Sequence, residues 1–432
     1  MNRRTVLRAA LAAGAAAAAG PAAAATAASP AAAAAGIKKP TQPRSIAYRA
    51  WTTSADFATG TAAGTVVAGD AVSIGTPVGQ FTYTDPHTGR TATYDYATWT
   101  SPMVIPGFAA SELIPSWTAA TPGGTWLQIE LRGLTELGTT TKWYNLGRWA
   151  ADDNQILRTS VPAQGDVNGF VAIDTLVAAS GRGWTRWELR ATLYRPVGST
   201  DTPTLRSVGA AASLLPEPGR LTPSVPGTAL GVVLNVPQYS QEIHAGEYPQ
   251  WDGGGEAWCS PTSTSMVVAY WGTGPTPADY AWVDPSYADP WVDYAARNTY
   301  DYSYQGCGNW PYNTAYAGRF GLDGFVTRLR SMNEAELFIA AGIPLVVSAS
   351  FRKSQVPGLD YGTNGHLMVV VGFTTTGQIV MNDPFSPSNA AVRKIVGRAE
   401  YEEAWLNTSR GVVYVIKPPS VALPPAPQQP NW

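Results

Sequence analysis

The segment 214–227, Leu-Leu-Pro-Glu-Pro-Gly-Arg-Leu-Thr-Pro-Ser-Val-Pro-Gly, divides this chain in two. Proline lacks a backbone N–H and holds φ near −65°, so four prolines in fourteen residues cannot continue a sheet ladder or a helix. A linker over 211–230 is therefore expected, in the semi-rigid regime of proline-rich spacers. The total of 432 residues, too many for one ordinary domain, agrees with a division there.

The two sides of the linker differ in hydrophobic period. Residues 126–132 and 187–193 alternate apolar and polar, which puts Trp187, Leu189, Ala191 and Leu193 on one face of a strand. Turn clusters at 85–89 and 122–124 punctuate such runs, and no stretch of helical period interrupts them. Region 46–210 reads as an all-β sandwich or jelly roll. Region 231–417 changes to mixed patterns. Helices are expected over 260–271, 289–297, 313–320, 333–341 and 400–406, and strands over 344–349, 366–371, 378–381 and 412–416. That order is α+β, with helices and strands segregated.

The two ends read differently. Residues 1–35 open with Arg3-Arg4 ahead of an alanine-rich stretch and several Ala-x-Ala sites, the pattern of a twin-arginine export signal. The mature chain is thus expected outside the cytoplasm. Residues 418–432 are proline-rich and read as an extended, unpacked tail. Charged residues are only 14% of the chain and the formal net charge is −2, which excludes the basic surface of a nucleic-acid-binding protein. No transmembrane segment is expected, since no further apolar run is long enough to span a bilayer.

Chemistry centres on Cys259. It follows the loop Asp252-Gly253-Gly254-Gly255 and precedes Pro261 and an apolar helical run, so the helix starts at or just after the thiol. Unpaired backbone N–H groups and the positive end of the helix dipole favour a thiolate there. His366 stands at the mouth of an apolar strand and suits a general base. Asp383 ends the next strand. A short connection, 374–377, would bring it to the same sheet rim as His366, where its carboxylate can orient the imidazole. Asn382 is a second candidate orienter. The residues leave a competing arrangement open: in an oxidising compartment Cys259 and Cys307 pair as a disulfide and no nucleophile remains. With three scattered histidines and cysteines off zinc spacing, no metal site is expected, and no glycine-rich phosphate loop points to a nucleotide cofactor.

The pieces 236–241, Cys259-Ser260-Pro261, 365–372 and Asn382-Asp383-Pro384, in that order, resemble the C39-like cysteine peptidases of secreted actinobacterial type. The resemblance implies a papain-like fold, a Cys259–His366–Asp383 triad, and an oxyanion hole formed by the Gln241 amide with the Cys259 backbone N–H. It also implies a secreted peptidase or amide hydrolase that works through an acyl-enzyme on peptide or cell-wall peptide substrates. Two departures stand out. Ser260 replaces the glycine usual after the cysteine, and Gln241 lies far ahead of Cys259, so the intervening loop must fold outward for the two to meet; Gln238 is the substitute. The cell-wall endopeptidases that share the papain-like core carry Cys-Ser-Gly and a second histidine, and fit less well.

Aromatic residues supply the candidate binding surfaces. Trp258 beside the thiol, with Trp310 and Tyr312 in the aromatic-rich stretch after Cys307, are the candidate substrate contacts. Trp99, Trp117, Trp143, Trp149 and Trp184 are candidate glycan contacts of the β-region. With a Cys259–Cys307 bridge, the alternative function is a non-catalytic cell-surface or glycan-binding protein on a degenerate papain-like scaffold.

Overall fold

Alternating residues of the first region build two antiparallel sheets that share one core, seen in a computed structural model describing residues 44–432. The expected export signal, 1–35, lies outside the described residues. One sheet runs Gly169–Ala172, Thr175–Ala178, Glu112–Ala120, Thr204–Leu214, Ala71–Ile74 and Thr65–Ala68, with Ser45–Trp51 also paired to Thr204–Leu214. The other runs Thr61–Ala63, Thr91–Thr100, Trp184–Pro196, Trp126–Thr135 and Tyr144–Trp149, with Gly79–Thr84 on Thr91–Thr100. Trp187, Leu189, Ala191 and Leu193 all point into the shared core, as the period-two pattern predicts.

The second region places a six-stranded antiparallel sheet among helices. Its order is Asp323–Arg328, Val412–Lys417, Leu345–Phe351, Thr363–Phe373, Ile379–Asn382 and Arg393–Val396. Successive residues of Thr363–Phe373 feed different cores. Met368 and Val370 pack with Phe338, Ile339 and Trp405, while Val369 and Val371 pack with Met266 and Val267 of the helix Cys259–Tyr270. Burial of both faces explains why the strand reads as an unbroken apolar run. Asp323–Arg328 and Arg393–Val396 are strands that the sequence pattern did not announce.

The helix expected at 313–320 instead spans Trp310–Gly318. Asn309 caps it, its side chain accepting the Tyr312 N–H at 3.2 Å, and Pro311 occupies the first turn. The other helices of the second region are Pro290–Thr299, Met332–Ala340 and Arg398–Thr408. Among the described residues no helix is long and apolar enough to cross a membrane.

The 211–230 segment and the tail are both packed. The strand Thr204–Leu214 runs on into the segment read as linker. Beyond it, Glu336 accepts the N–H groups of Gly227 at 2.9 Å and Ala229 at 3.3 Å, and Gly219 exchanges two hydrogen bonds with Asn407. The segment is a strap docked on the second region rather than a free spacer. At the end of the tail, the Trp432 ring lies 4.9 Å from Phe338, and buried Asn431 donates to Arg328 O at 2.7 Å. One large aromatic at the terminus supplies enough apolar surface to hold it down.

The two regions also share a packed interface. Tyr312 and Ala315 sit in the core of the first region, with Tyr312 6.0 Å from Trp117 and donating to Arg148 O at 3.2 Å. Buried polar bonds cross as well: Asp301 accepts the Ser160 N–H at 3.0 Å, Asp174 the Trp310 N–H at 2.7 Å, and Ser116 the Val326 N–H at 2.8 Å.

Candidate active site

Cys259 is the first residue of its helix, half-exposed, while Ser260 to Val268 behind it are buried. The polar side chains of this buried helix are tied to its neighbours. Ser260 Oγ lies 3.0 Å from Tyr414 Oη, and Ser263 Oγ donates to Leu367 O at 3.1 Å. The second bond links the cysteine's helix to the residue after His366.

The loop between Gln241 and Cys259 folds outward and returns. Gly255 closes it at a point where a Cβ would stand 2.4 Å from His244 C and 2.5 Å from Gln241 O, so only glycine fits. Gln241 is buried at the base of this loop. Its backbone N–H donates to Pro384 O at 3.0 Å and its amide Nε2 to Glu256 O at 2.7 Å, while Oε1 has no hydrogen-bond partner. Gln241 is thereby held between the residue after Asp383 and the approach to Cys259, with one amide N–H already committed. Gln238 is engaged elsewhere, accepting the Arg393 N–H at 3.0 Å.

His366 and Asp383 meet at the rim of the hairpin formed by Thr363–Phe373 and Ile379–Asn382, with His366 Nε2 2.8 Å from Asp383 Oδ1. Nδ1 is then the ring nitrogen left for Cys259, whose interaction with the imidazole favours the protonated ring. Burial works against the imidazolium. The bonds and charges of Asp383 and Cys259 outweigh it and raise His366 to about 9. Asp383 is fully buried, and burial raises its carboxyl, but His366 and Lys394 bring it below the usual range. Asn382 does not orient the histidine: its Nδ2 donates to Pro237 O at 2.9 Å and its Oδ1 accepts Arg393 Nε at 2.6 Å.

Three groups that the sequence pattern missed complete the Asp383 shell. Phe385 N–H donates to Oδ1 at 3.0 Å, Tyr361 Oη to Oδ2 at 3.1 Å, and Lys394 Nζ stands 2.9 Å from Oδ2. Lys394 lies in a strand that was not anticipated, so nothing in the sequence pointed to it. Lys394→Met is expected to destabilise the protein by about 2 kcal/mol in urea unfolding. It also removes a cation opposed to the imidazolium, so the His366 pKa, followed by NMR, moves further up.

Several expected residues lie elsewhere. Both cysteines are free, so the Cys259–Cys307 disulfide is absent. Cys307 is fully buried with Sγ 3.5 Å from Ala296 O, and burial pushes its thiol well up. Trp258, Trp310 and Tyr312 are not surface contacts. Trp258 is enclosed with its Nε1 donating to Trp251 O at 2.7 Å, and the other two are core residues beside the interface. Trp99, Trp117, Trp149 and Trp184 are likewise fully buried, and Trp143 lies between the guanidinium groups of Arg132 and Arg190 at 4.4 and 4.5 Å. The aromatic that does face solvent near the site is Phe385, 40% exposed, its ring 6.3 Å from His366. A groove of about 560 Å³ opens nearby, lined by Val356, Leu359, Asp360 and Lys394 among others.

A half-exposed helix-start thiol, an imidazole and a buried carboxylate form the side-chain set of cysteine-peptidase-like proteins. Family comparison agrees. Residues 47–213 match the Peptidase C39 N-terminal domain of actinobacterial type, and residues 233–413 match the Peptidase_C39 like family. The chain belongs to the C39-like peptidases of actinobacterial type, with a β-rich first domain and a C39-like second domain. No curated protein matches it. Among solved structures, a family two carbohydrate esterase from Cellvibrio japonicus is similar at 12% identity and a TM-score of 0.16. The match covers 52% of this chain and 50% of the esterase, and a likeness that slight carries no argument.

Proposed function

We propose that this protein is an exported cysteine peptidase or amide hydrolase, with a papain-like catalytic domain behind a β-sandwich domain. The observation that carries the reading is the 2.8 Å His366–Asp383 bond, with Cys259 acting on the same imidazole. Family membership supports a peptide substrate, and cell-wall peptides belong to that class. The Arg3-Arg4 start and alanine-rich stretch support export.

In the proposed reaction, Cys259 Sγ attacks the scissile carbonyl carbon and a C–S bond forms. The carbonyl electrons move to oxygen, where the Cys259 backbone N–H and the remaining Gln241 amide N–H stabilise the charge. The tetrahedral intermediate collapses, the C–N bond breaks, and His366 passes its proton to the departing amine. A water then attacks the thioester, giving its proton to His366. The C–S bond breaks and the acid product leaves. Asp383 holds the ring and stabilises the imidazolium throughout. Phe385 supplies an exposed apolar face for a substrate side chain.

The pH dependence has a definite sign. His366 is raised from 6.5 to about 9, so its favourable interactions are present in full below about pH 6.5 and are lost as pH rises through about 9. Asp383 is lowered, so its contribution is present above the ordinary carboxylate range and disappears as pH falls through its folded value. The rate on a peptide substrate is expected to fall above about pH 9, where the imidazolium needed to protonate the leaving group is lost. A kcat/KM profile flat through pH 10 would contradict this.

Cleavage of a peptide library by the purified protein tests the function. Turnover that disappears in Cys259→Ala is the expected result. Equal turnover by the variant, or none by the parent protein across amide and cell-wall peptide substrates, would refute the reading.

A further inference from the structure

His244, Glu247 and Asp293 were not expected to meet, since the histidines looked too scattered for a metal site. The fold brings them together. His244 Nδ1 is 2.8 Å from Glu247 Oε2 and 3.3 Å from Asp293 Oδ2, and one ligand atom from each residue falls within 4.8 Å of the others. His244 and Asp293 are fully buried and Glu247 is 8% exposed. Asp293 Oδ1 has no partner, Oδ2 has only the 3.3 Å contact with His244 Nδ1, and His244 Nε2 has no partner either.

A buried carboxylate short of donors costs several kcal/mol, and native proteins avoid it by fuller pairing or by metal coordination. A proton on His244 compensates only one of the two carboxylates. A divalent cation neutralises both, with the imidazole as a neutral ligand. We propose that His244, Glu247 and Asp293 bind a divalent first-row transition metal ion, with Zn²⁺ the best match. An imidazole nitrogen with two carboxylate oxygens suits Zn²⁺, whereas Ca²⁺ seeks six to eight oxygens that three buried side chains do not provide.

The placement assigns the ion a structural role. His244 and Glu247 lie in the loop that leaves Gln241, and Asp293 lies on the helix Pro290–Thr299. The Trp258 ring, next to Cys259, packs 5.9 Å from His244. An ion there pins the outward-folded loop to the helix beneath it and fixes both Gln241 and the turn into Cys259. The site itself is independent of any chemistry at the thiol.

Metal analysis of the full-length protein tests the site. The chain is stripped with a chelator, dialysed against trace Zn²⁺, and assayed for bound metal and melting temperature. Stoichiometric Zn²⁺ retention with a raised melting temperature is expected. Asp293→Asn and Glu247→Gln should weaken binding by more than about a hundredfold while keeping the same circular dichroism. Should either variant misfold, Co²⁺ substitution in the unmodified protein gives a second readout: the ligand-field absorption of a nitrogen–oxygen site is expected. No retained metal, retention unchanged in both folded variants, or Co²⁺ bound with only the spectrum of the hydrated ion would overturn the proposal.

Discussion

Asp383→Ala is expected to lower kcat/KM by roughly ten-thousandfold, with the loss falling on kcat. The aspartate has two duties, and alanine ends both. His366 Nε2 loses the acceptor at 2.8 Å that fixes the ring, and Lys394 Nζ loses the anion at 2.9 Å. Breaking a buried pair from one side also costs about 3–5 kcal/mol in stability. Asp383→Asn separates the duties. Its carboxamide oxygen still accepts from the imidazole, so the ring stays oriented, but Lys394 is left facing a neutral group. Asparagine, the orienting residue of Cys-His-Asn sites, should therefore retain more activity than alanine while remaining destabilised. Progress curves beside urea unfolding of the two variants resolve the contributions. Equal rates for the alanine and asparagine variants would show that ring orientation is not what Asp383 provides.

The second large effect lies far from the thiol. Tyr312→Ala should destabilise the whole chain by about 3–5 kcal/mol, the range for removing a large buried ring. Tyr312 belongs to the C39-like domain by sequence but fills the core of the β-rich domain beside Trp117. The same interface makes the second domain dependent on the first. Expressed alone, residues 214–432 would expose Tyr312 and Ala315 and lose the partners of Trp310, Asp301 and Val326. The full chain should melt in one cooperative transition, and the isolated segment should show none. Two well-separated transitions, or a segment as stable as the whole, would contradict a shared core.

Much of the scaffold was legible because its signals are local. The period-two strands and the helix start at Cys259 each follow from neighbouring residues. The hairpin that joins His366 to Asp383 was legible for the same reason, since a four-residue connection leaves few alternatives. What the sequence hid depends on the tertiary context. The helix Trp310–Gly318 is buried on every side, so it has no polar face to mark which aromatics are core. Trp310 and Tyr312 therefore looked like platforms when they are packing. Lys394 sits in a short strand, Arg-Lys-Ile-Val, that is basic at its start and whose pairing with Ile379–Asn382 no local pattern announces. Asp293 reaches His244 only because a helix packs beneath a loop far earlier in the chain. The tail was misread for a similar reason, since proline content conceals a single anchoring tryptophan.

The most direct test of the central claim is the rate of thiol alkylation at each cysteine, read by peptide mass spectrometry on the folded protein across pH. A triad built on Cys259 predicts fast modification of that residue alone, slowed strongly in His366→Ala. Cys307, buried with its thiol raised, should stay unmodified until unfolding. Modification of Cys259 at the rate of a free thiol, unchanged by loss of His366, would contradict the assignment of Cys259 as an activated nucleophile.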